Sequence, residues 1–333
     1  MTEEPAKLDN KLPGSVSTEY GTRQRRFGAE SITAGLEWLS AARRDDHWTD
    51  LDMFGGATDV WATACVLARL GEIPEGYFSY PLRQQIEKSL DWLEHARIAG
   101  SGWCGFYSGE PDAFTTSWAI QAMRSHHRSV PPSSLDMVLR CRQANGGFSA
   151  YPLDSPLDGP YNVSRPEITV AALRVLSIRD SAAEGFLGAR LRDDLLPAGA
   201  GRASWLYICS EVLDWESGVA PWSLLKRISR SIASCRVEEP YEQALLLRSL
   251  LRLRNQRAWE VGAALREMQL IDGSWPACAV LAPPSQVSGA VSLACFADTR
   301  TITTATALSA LVMSESQPGL YFGSDLPRRL REC

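Results

Sequence analysis

The chain alternates between two kinds of apolar pattern. The first is apolar at nearly every position and rich in alanine: WATACVLARL (61–70), TSWAIQAM (116–123), TVAALRVL (169–176), QALLLRSL (243–250) and TATALSAL (304–311), with a weaker copy in WLYICSEVL (205–213). A helix with no polar face is buried on all sides. The second kind is amphipathic and fills the gaps, over roughly 29–43, 81–97, 133–143, 183–195, 221–235 and 257–270. In 81–97, Leu82, Ile86, Leu90 and Leu93 form one helical stripe, and Arg83, Lys88 and Glu94 lie off it. The first three buried copies end at Leu70, Met123 and Leu176, two equal steps of 53 residues, so the pattern is an internal repeat.

Six buried helices alternating with six polar-faced ones predict an all-α (α/α)6 barrel, or toroid, with the buried set inside and the amphipathic set outside. A linear solenoid would expose one face of every helix, which the fully apolar set does not allow. Strands are barely signalled. The expected domain runs over 27–315, with a tail or strap over 1–26 and a tail over 316–333. Two proline-bearing joints, Tyr151–Pro166 and Leu281–Arg300, lead into inner helices and are candidate lids.

Glycine-aromatic joints follow several outer segments. The sharpest is Gln269-Leu270-Ile271-Asp272-Gly273-Ser274-Trp275, then Gln143-Ala144-Asn145-Gly146-Gly147-Phe148, with weaker forms at Gly100–Trp103 and Gly201–Trp205. Glycine suits the left-handed turn that ends a helix, and the aromatic ring covers the joint. The glutamine bonds backbone groups left free at helix ends. These motifs resemble the QW repeats of squalene-hopene and related terpene cyclases, which also occur in protein prenyltransferase β subunits. The resemblance spans about 30–312 and implies a single barrel domain.

In such a barrel every inner helix starts at the same mouth, and six helix N-termini direct partial positive charge there. Asp59, Asp112, Glu167, Glu239, Glu242, Thr301 and Thr303 precede or open inner helices. Each has an ordinary reading as a helix cap, but their convergence on one mouth marks a candidate site. The stretch Gly102-Trp103…Phe106…Pro111-Asp112-Ala113-Phe114-Thr115-Thr116 resembles the G-W-x-F…P-D-x-D-D-T-A segment of protonation-type cyclases. Matched position by position, Asp112 stands at the first aspartate, and Phe114 stands where the family has its proton-donating acid. The resemblance therefore leaves the role of acid to Asp112, Asp59 or Glu239. Trp61, Trp103, Phe106, Tyr107, Phe114, Trp118, Glu167, Trp205, Tyr207, Tyr241, Glu242 and Thr303 are the expected substrate-binding residues. Trp48 and Tyr161 add to the aromatics near the mouth. Aromatic faces stabilise cations without trapping them covalently.

Composition narrows the partners. A net charge of -5 gives no broad attraction for nucleic acid. No run of apolar residues is long enough for a membrane span, and the polar N-terminus Met1-Thr2-Glu3-Glu4-Pro5 lacks the apolar core of a signal peptide. The eight cysteines form no C-x-x-C pair, which points to reduced thiols and a cytoplasmic protein. His126 and His127 read as a solvated pair at a helix end. The zinc site of prenyl transfer needs an Asp-x-Cys and an inner-helix histidine, and neither occurs. The magnesium motif D-D-x-x-D is also missing, since Asp45-Asp46 and Asp193-Asp194 lack a third acid. No metal and no cofactor are expected.

Three functions fit. The first is metal-independent, protonation-initiated cyclisation or isomerisation of a small hydrophobic isoprenoid-type substrate. The second is a non-catalytic or repurposed barrel that binds a hydrophobic ligand or a partner. The third is bond formation on a non-terpene natural product. A homodimer is compatible with all three.

Overall fold

In the computed structural model of the chain, the residues described are 16–50, 52–53, 56–105, 109–155, 162–190, 205–215, 222–277 and 300–317. They form twelve α-helices in chain order: α1 (Val16–Ala42), α2 (Asp59–Leu70), α3 (Tyr80–His95), α4 (Ala113–Ser125), α5 (Pro132–Arg140), α6 (Pro166–Leu176), α7 (Ser181–Arg190), α8 (Trp205–Asp214), α9 (Trp222–Ser234), α10 (Pro240–Arg252), α11 (Ala258–Glu267) and α12 (Thr301–Glu315). A two-residue antiparallel pair, Asp52–Met53 with Gly56–Ala57, precedes α2. Prolines at the first or second helical position of α3, α5, α6 and α10 take sites where a backbone N–H is not needed.

Burial sorts the helices into two rings. Every residue of α2 from Trp61 to Leu70 is buried, as is every residue of α12 from Thr301 to Val312. By contrast α3 buries only Leu82, Ile86, Ser89, Leu90 and Leu93, the stripe expected from spacing. The even-numbered helices pack in the cyclic order α2, α4, α6, α8, α10, α12, and α12 returns to α2. The odd-numbered helices pack outside them. The chain is an (α/α)6 barrel. Helix α1 reaches back to Val16, into the region expected as a tail.

The two rings are joined by a repeated hydrogen-bond device. Seven residues before the end of four inner repeats stands a threonine: Thr63, Thr116, Thr169 and Thr304. Its hydroxyl accepts from the backbone N–H of the joint aromatic: Trp48 at 2.9 Å, Trp103 at 2.9 Å, Phe148 at 2.8 Å and Trp275 at 3.1 Å. The indole N–H of each tryptophan then donates to a carbonyl in the last turn of the preceding outer helix. Trp48 reaches Leu39 at 2.8 Å, Trp103 reaches Leu93 at 2.6 Å, and Trp275 reaches Leu265 at 2.6 Å. Carbonyls there have no partner within their own helix, so the ring satisfies one while filling the space between layers.

The last joint also closes the outer ring. The Gln269 amide donates to the carbonyls of Ser31 and Gly273, both at 2.8 Å, tying the end of α11 to α1. Gly273 has φ of 90°, and a Cβ there would lie 2.4 Å from the Ala34 carbonyl oxygen of α1. Only glycine meets both demands.

Candidate active site

The lumen has an aromatic upper layer. Nine residues before the end of their repeats stand Trp61, Phe114, Glu167 and Tyr241, all on the first turns of inner helices. The ring of Phe114 lies 6.2 Å from Trp61 and 6.1 Å, edge-on, from Tyr207. Trp118 lies 6.3 Å from Tyr207. Helices α4 and α8 are separated in the ring by α6, so the Phe114–Tyr207 and Trp118–Tyr207 contacts cross the centre of the ring. Trp61, Trp118, Tyr207 and Tyr241 are buried, and Phe114 packs partly buried against them.

Asp112 stands at the α4 edge of the mouth, within electrostatic reach of Cys141 just after outer helix α5. It is the N-cap of α4 and is buried. One carboxylate oxygen accepts from the Thr115 N–H at 2.7 Å, and the other from the Gly105 N–H at 3.0 Å. Burial pushes its carboxyl up to about 6, and the backbone N–H bonds of Thr115 and Gly105 only partly offset that. Asp50 is a second acid of this kind, and sequence reasoning missed it. It precedes the next inner helix by nine residues, outside cap spacing, and instead caps α12, which is far away in sequence. It accepts from the Thr301 hydroxyl at 2.8 Å and the Ile302 N–H at 3.1 Å. Burial raises it to about 6, opposed by the bonds from Ile302 and Thr301. Since α12 and α4 flank α2, the two acids stand on either side of one inner helix.

The other expected site residues divide. Asp59 pairs with His47 at 3.5 Å, and His47 stacks on Trp92 of outer helix α3. The His47 contact turns Asp59 toward the outer ring, while the contact with Phe114 places Trp61 on the inner side. Glu239 is exposed, which does not suit an acid for alkene protonation. Glu242 lies within electrostatic reach of Cys235, just after outer helix α9, and so also faces outward. Trp103, like Trp48, is a joint between the rings and does not line the lumen, because its indole is spent on Leu93. Glu167 stays at the mouth, 3.7 Å from Arg165. Thr303 is buried in the first turn of α12, and Trp205 is half-buried at the start of α8. Phe106, Tyr107 and Tyr161 lie outside the described residues, as do most of the 281–300 joint and the middle of the 151–166 joint. His126 is not solvated as expected. It is half-buried, and its ring nitrogen bonds the Leu67 carbonyl at 2.9 Å.

The opposite end of the lumen is a floor of ion pairs. Two residues before the end of each inner repeat stand Ala68, Gln121, Arg174, Glu211, Arg248 and Ser309. Four of these meet with Arg69, Glu72 and Asp214. Arg69 reaches Glu211 at 2.7 Å and Glu72 at 3.0 Å, and Arg174 reaches Glu211 at 2.5 Å. Arg248 reaches Glu72 at 2.6 Å and also bonds Asp214 and Ser309. Arg252 closes on Asp214 at 2.8 Å. Burial opposes ionisation of Glu72, but Arg248 and Arg69 outweigh it and hold the carboxyl at about 2. Asp214 is likewise held low: burial raises it, and Arg248, Arg174, Arg252 and Arg69 overcome that. Arg69, Arg174 and Arg252 also sit in the last turns of their helices, where the macrodipole favours cations. The Arg69 guanidinium, 5.0 Å from the Trp118 ring, links floor to aromatic layer.

Among the described residues no group of His, Cys, Asp or Glu is placed to hold a metal ion, and no helix is long and apolar enough to cross a membrane. Burial pushes the thiols of Cys65, Cys141 and Cys209 up, so they behave as small apolar side chains.

No family model and no curated protein matches this chain. Solved structures do. The chain is similar to the type II terpene cyclase MstE from Scytonema, with TM-score 0.63 and 17% identity over 87% of this chain and 99% of that one. A protein from Actinoplanes gives TM-score 0.67 and 20% identity, over 86% and 99%. The chain has the terpene-cyclase-like toroid fold. An ent-copalyl diphosphate synthase from Streptomyces platensis gives TM-score 0.51 and 15% identity, with 77% of this chain matching 50% of that one. The toroid of this chain therefore corresponds to nearly all of MstE and to about half of the synthase.

Proposed function

We propose that this toroid takes an isoprenoid-type substrate into its lumen and cyclises it by protonation, with Asp112 as the acid. The observation that carries the reading is a buried carboxyl raised to about 6 at the N-terminus of inner helix α4, two residues before Phe114, whose ring meets Trp61 and Tyr207 inside the closed ring of helices. MstE variants bind geranylgeranyl dihydroxybenzoate as substrate and merosterolic acid A as product, which supports a polyprenyl chain as the ligand class.

In this mechanism the proton rests on the Asp112 oxygen held by the longer Gly105 bond, because the oxygen facing Thr115 is the better acceptor in its cap. It passes to a terminal alkene carbon, leaving a carbocation on the more substituted neighbour. The next alkene supplies its π electrons to form a carbon–carbon bond and move the charge along the chain. Trp61, Phe114, Trp118 and Tyr207 present π faces and edges to that charge. A proton lost from the final cation restores the acid, so substrate and product have equal mass.

The second reading, a lumen that binds a hydrophobic ligand or partner without turnover, is favoured by Phe114. It stands where the resembling cyclases carry their acid, and its ring faces the lumen between Trp61 and Tyr207.

The test incubates purified protein with geranylgeraniol and geranylgeranyl dihydroxybenzoate and looks for isomeric cyclic products. Product with the native protein and none with Asp112→Asn supports the cyclase. Retained ligand without product supports the binding barrel. Product lost in Asp50→Asn but kept in Asp112→Asn moves the acid to Asp50.

A further inference from the structure

Between the aromatic layer and the ion-pair floor lies a belt of buried polar groups that the fold does not use. Trp118 Nε1, both ends of the Gln121 amide, the Tyr207 hydroxyl and the Ser210 hydroxyl have no hydrogen-bond partner among the described residues. All four residues are at least nine-tenths buried, with relative exposures of 3%, 9%, 2% and 1%. Trp118 and Gln121 are one turn apart on α4, and Tyr207 and Ser210 are one turn apart on α8. The 6.3 Å contact between Trp118 and Tyr207 places these two stripes face to face across the lumen. Gln121 also shares its repeat position with Arg174, Glu211, Arg248 and Ser309, all of which point to the axis and meet on the floor.

Leaving a buried polar group unpaired costs about 1–3 kcal/mol, so four residues of this kind at one level are poor choices for a purely structural core. We infer that this belt is a binding subsite for a neutral oxygen group, a hydroxyl or carbonyl, at one end of an otherwise apolar ligand. The indole N–H, the amide NH2 and the phenol offer donors, and the Gln121 carbonyl offers an acceptor. A neutral group fits better than an anion because the floor beneath is already balanced. Arg69, Arg174 and Arg248 are opposed by Glu72, Glu211 and Asp214, and the fourth arginine, Arg252, is nearly half exposed, where solvent screens its charge. The inference rests on the proposal that the lumen takes an isoprenoid chain. It orients that chain with its oxygen at the belt and its apolar tail toward Asp112, and it excludes a diphosphate from this end.

Native mass spectrometry and ligand-induced shifts in melting temperature would be measured with geranylgeraniol, geranylgeranyl diphosphate and an alkane of the same chain length. These would be tested on the native protein and on Gln121→Leu and Tyr207→Phe. The alcohol should bind more tightly than the alkane or the diphosphate, and Gln121→Leu should weaken the alcohol about tenfold while leaving the alkane unchanged. Without ligand, both variants should melt at or above the native temperature, because each removes an unpaired polar atom. Equal binding of alcohol and alkane, preference for the diphosphate, or a lowered melting temperature in both ligand-free variants would overturn the subsite and leave the isoprenoid lumen standing. Failure of all three probes to bind would overturn both.

Discussion

The two ends of this barrel take carboxylates out of bulk water and treat them in opposite ways. At the mouth, Asp112 and Asp50 are surrounded by backbone N–H groups and hydroxyls, with no guanidinium bonded to them among the described residues, and burial carries both up to about 6. At the floor, the buried Asp214 and the part-exposed Glu72 stand among arginines, and desolvation is overcome, so Glu72 sits at about 2. Burial alone does not decide the state of an acid; the nearest full charge does. One end is thereby equipped to hold a proton near neutral pH, and the other to hold fixed charge. The barrel has a proton-holding mouth and a charge-bearing base, although the helices that frame them are the same six.

The largest effect should come from breaking the floor. Arg248→Ala breaks a fully buried pair with Asp214 and takes one arginine from Glu72, and should cost about 3 kcal/mol in urea unfolding. Arg252→Ala removes a half-exposed partner of Asp214 and should cost less than about 1 kcal/mol. Similar losses in both variants would mean that the network is not held by buried charge.

Next in size is the loss of proton transfer at the mouth. Asp112→Asn keeps an oxygen for the Thr115 cap and removes a desolvated charge at neutral pH, so it should melt within a few degrees of the native protein. Any product formation should fall about a hundredfold or more. With the native acid near 6, turnover should rise as pH falls from 8 toward 6, because the protonated form is the reagent.

Stability against pH should separate the two ends as well. The mouth acids are raised in the folded state, so the stability linked to them is fully present below their unfolded value near 3.8 and lost as pH rises through about 6. The floor acids are depressed, so theirs is present above the unfolded value, 4.5 for Glu72, and lost as pH falls toward 2. Melting temperature should therefore rise slightly from pH 7 to 5 and fall steeply below about 4. A monotonic decline from pH 7 would remove the mouth contribution.

The smallest effect concerns the joints that hold the two ends in register. Thr116→Val deletes the hydroxyl that receives the Trp103 N–H and should cost about 1–2 kcal/mol. A Thr33→Val control, at an exposed position bonded only to its own helix, should change little.

The architecture was legible because it is written in periodicity. Ala-rich copies without a polar face can only be inner helices, and Gly273 with Trp275 can only be a tight joint, so ring order followed from spacing. The site was less legible. Asp112 was found because it caps the helix next to it in sequence, whereas Asp50 caps α12 across about 250 residues and carries no local sign. Trp103 and Trp61 are equally aromatic in the sequence. Only the indole bond to Leu93 makes one a joint, and only the contact with Phe114 puts the other in the lumen. The floor escaped notice because Arg69, Arg174 and Arg248 sit singly in apolar runs, where each looks like a surface break in a buried helix. Their common level appears only when the repeats are stacked.

The contrast between mouth and floor is tested most directly by titrating the side-chain carboxyl carbons of carbon-13-labelled aspartate in the intact protein, with Asp112→Asn and Asp50→Asn used for assignment. The account expects two resonances that titrate near 6 and vanish one with each variant, while Asp214 stays ionised throughout the range in which the protein is folded. Titration of Asp112 at or below 4 would contradict it.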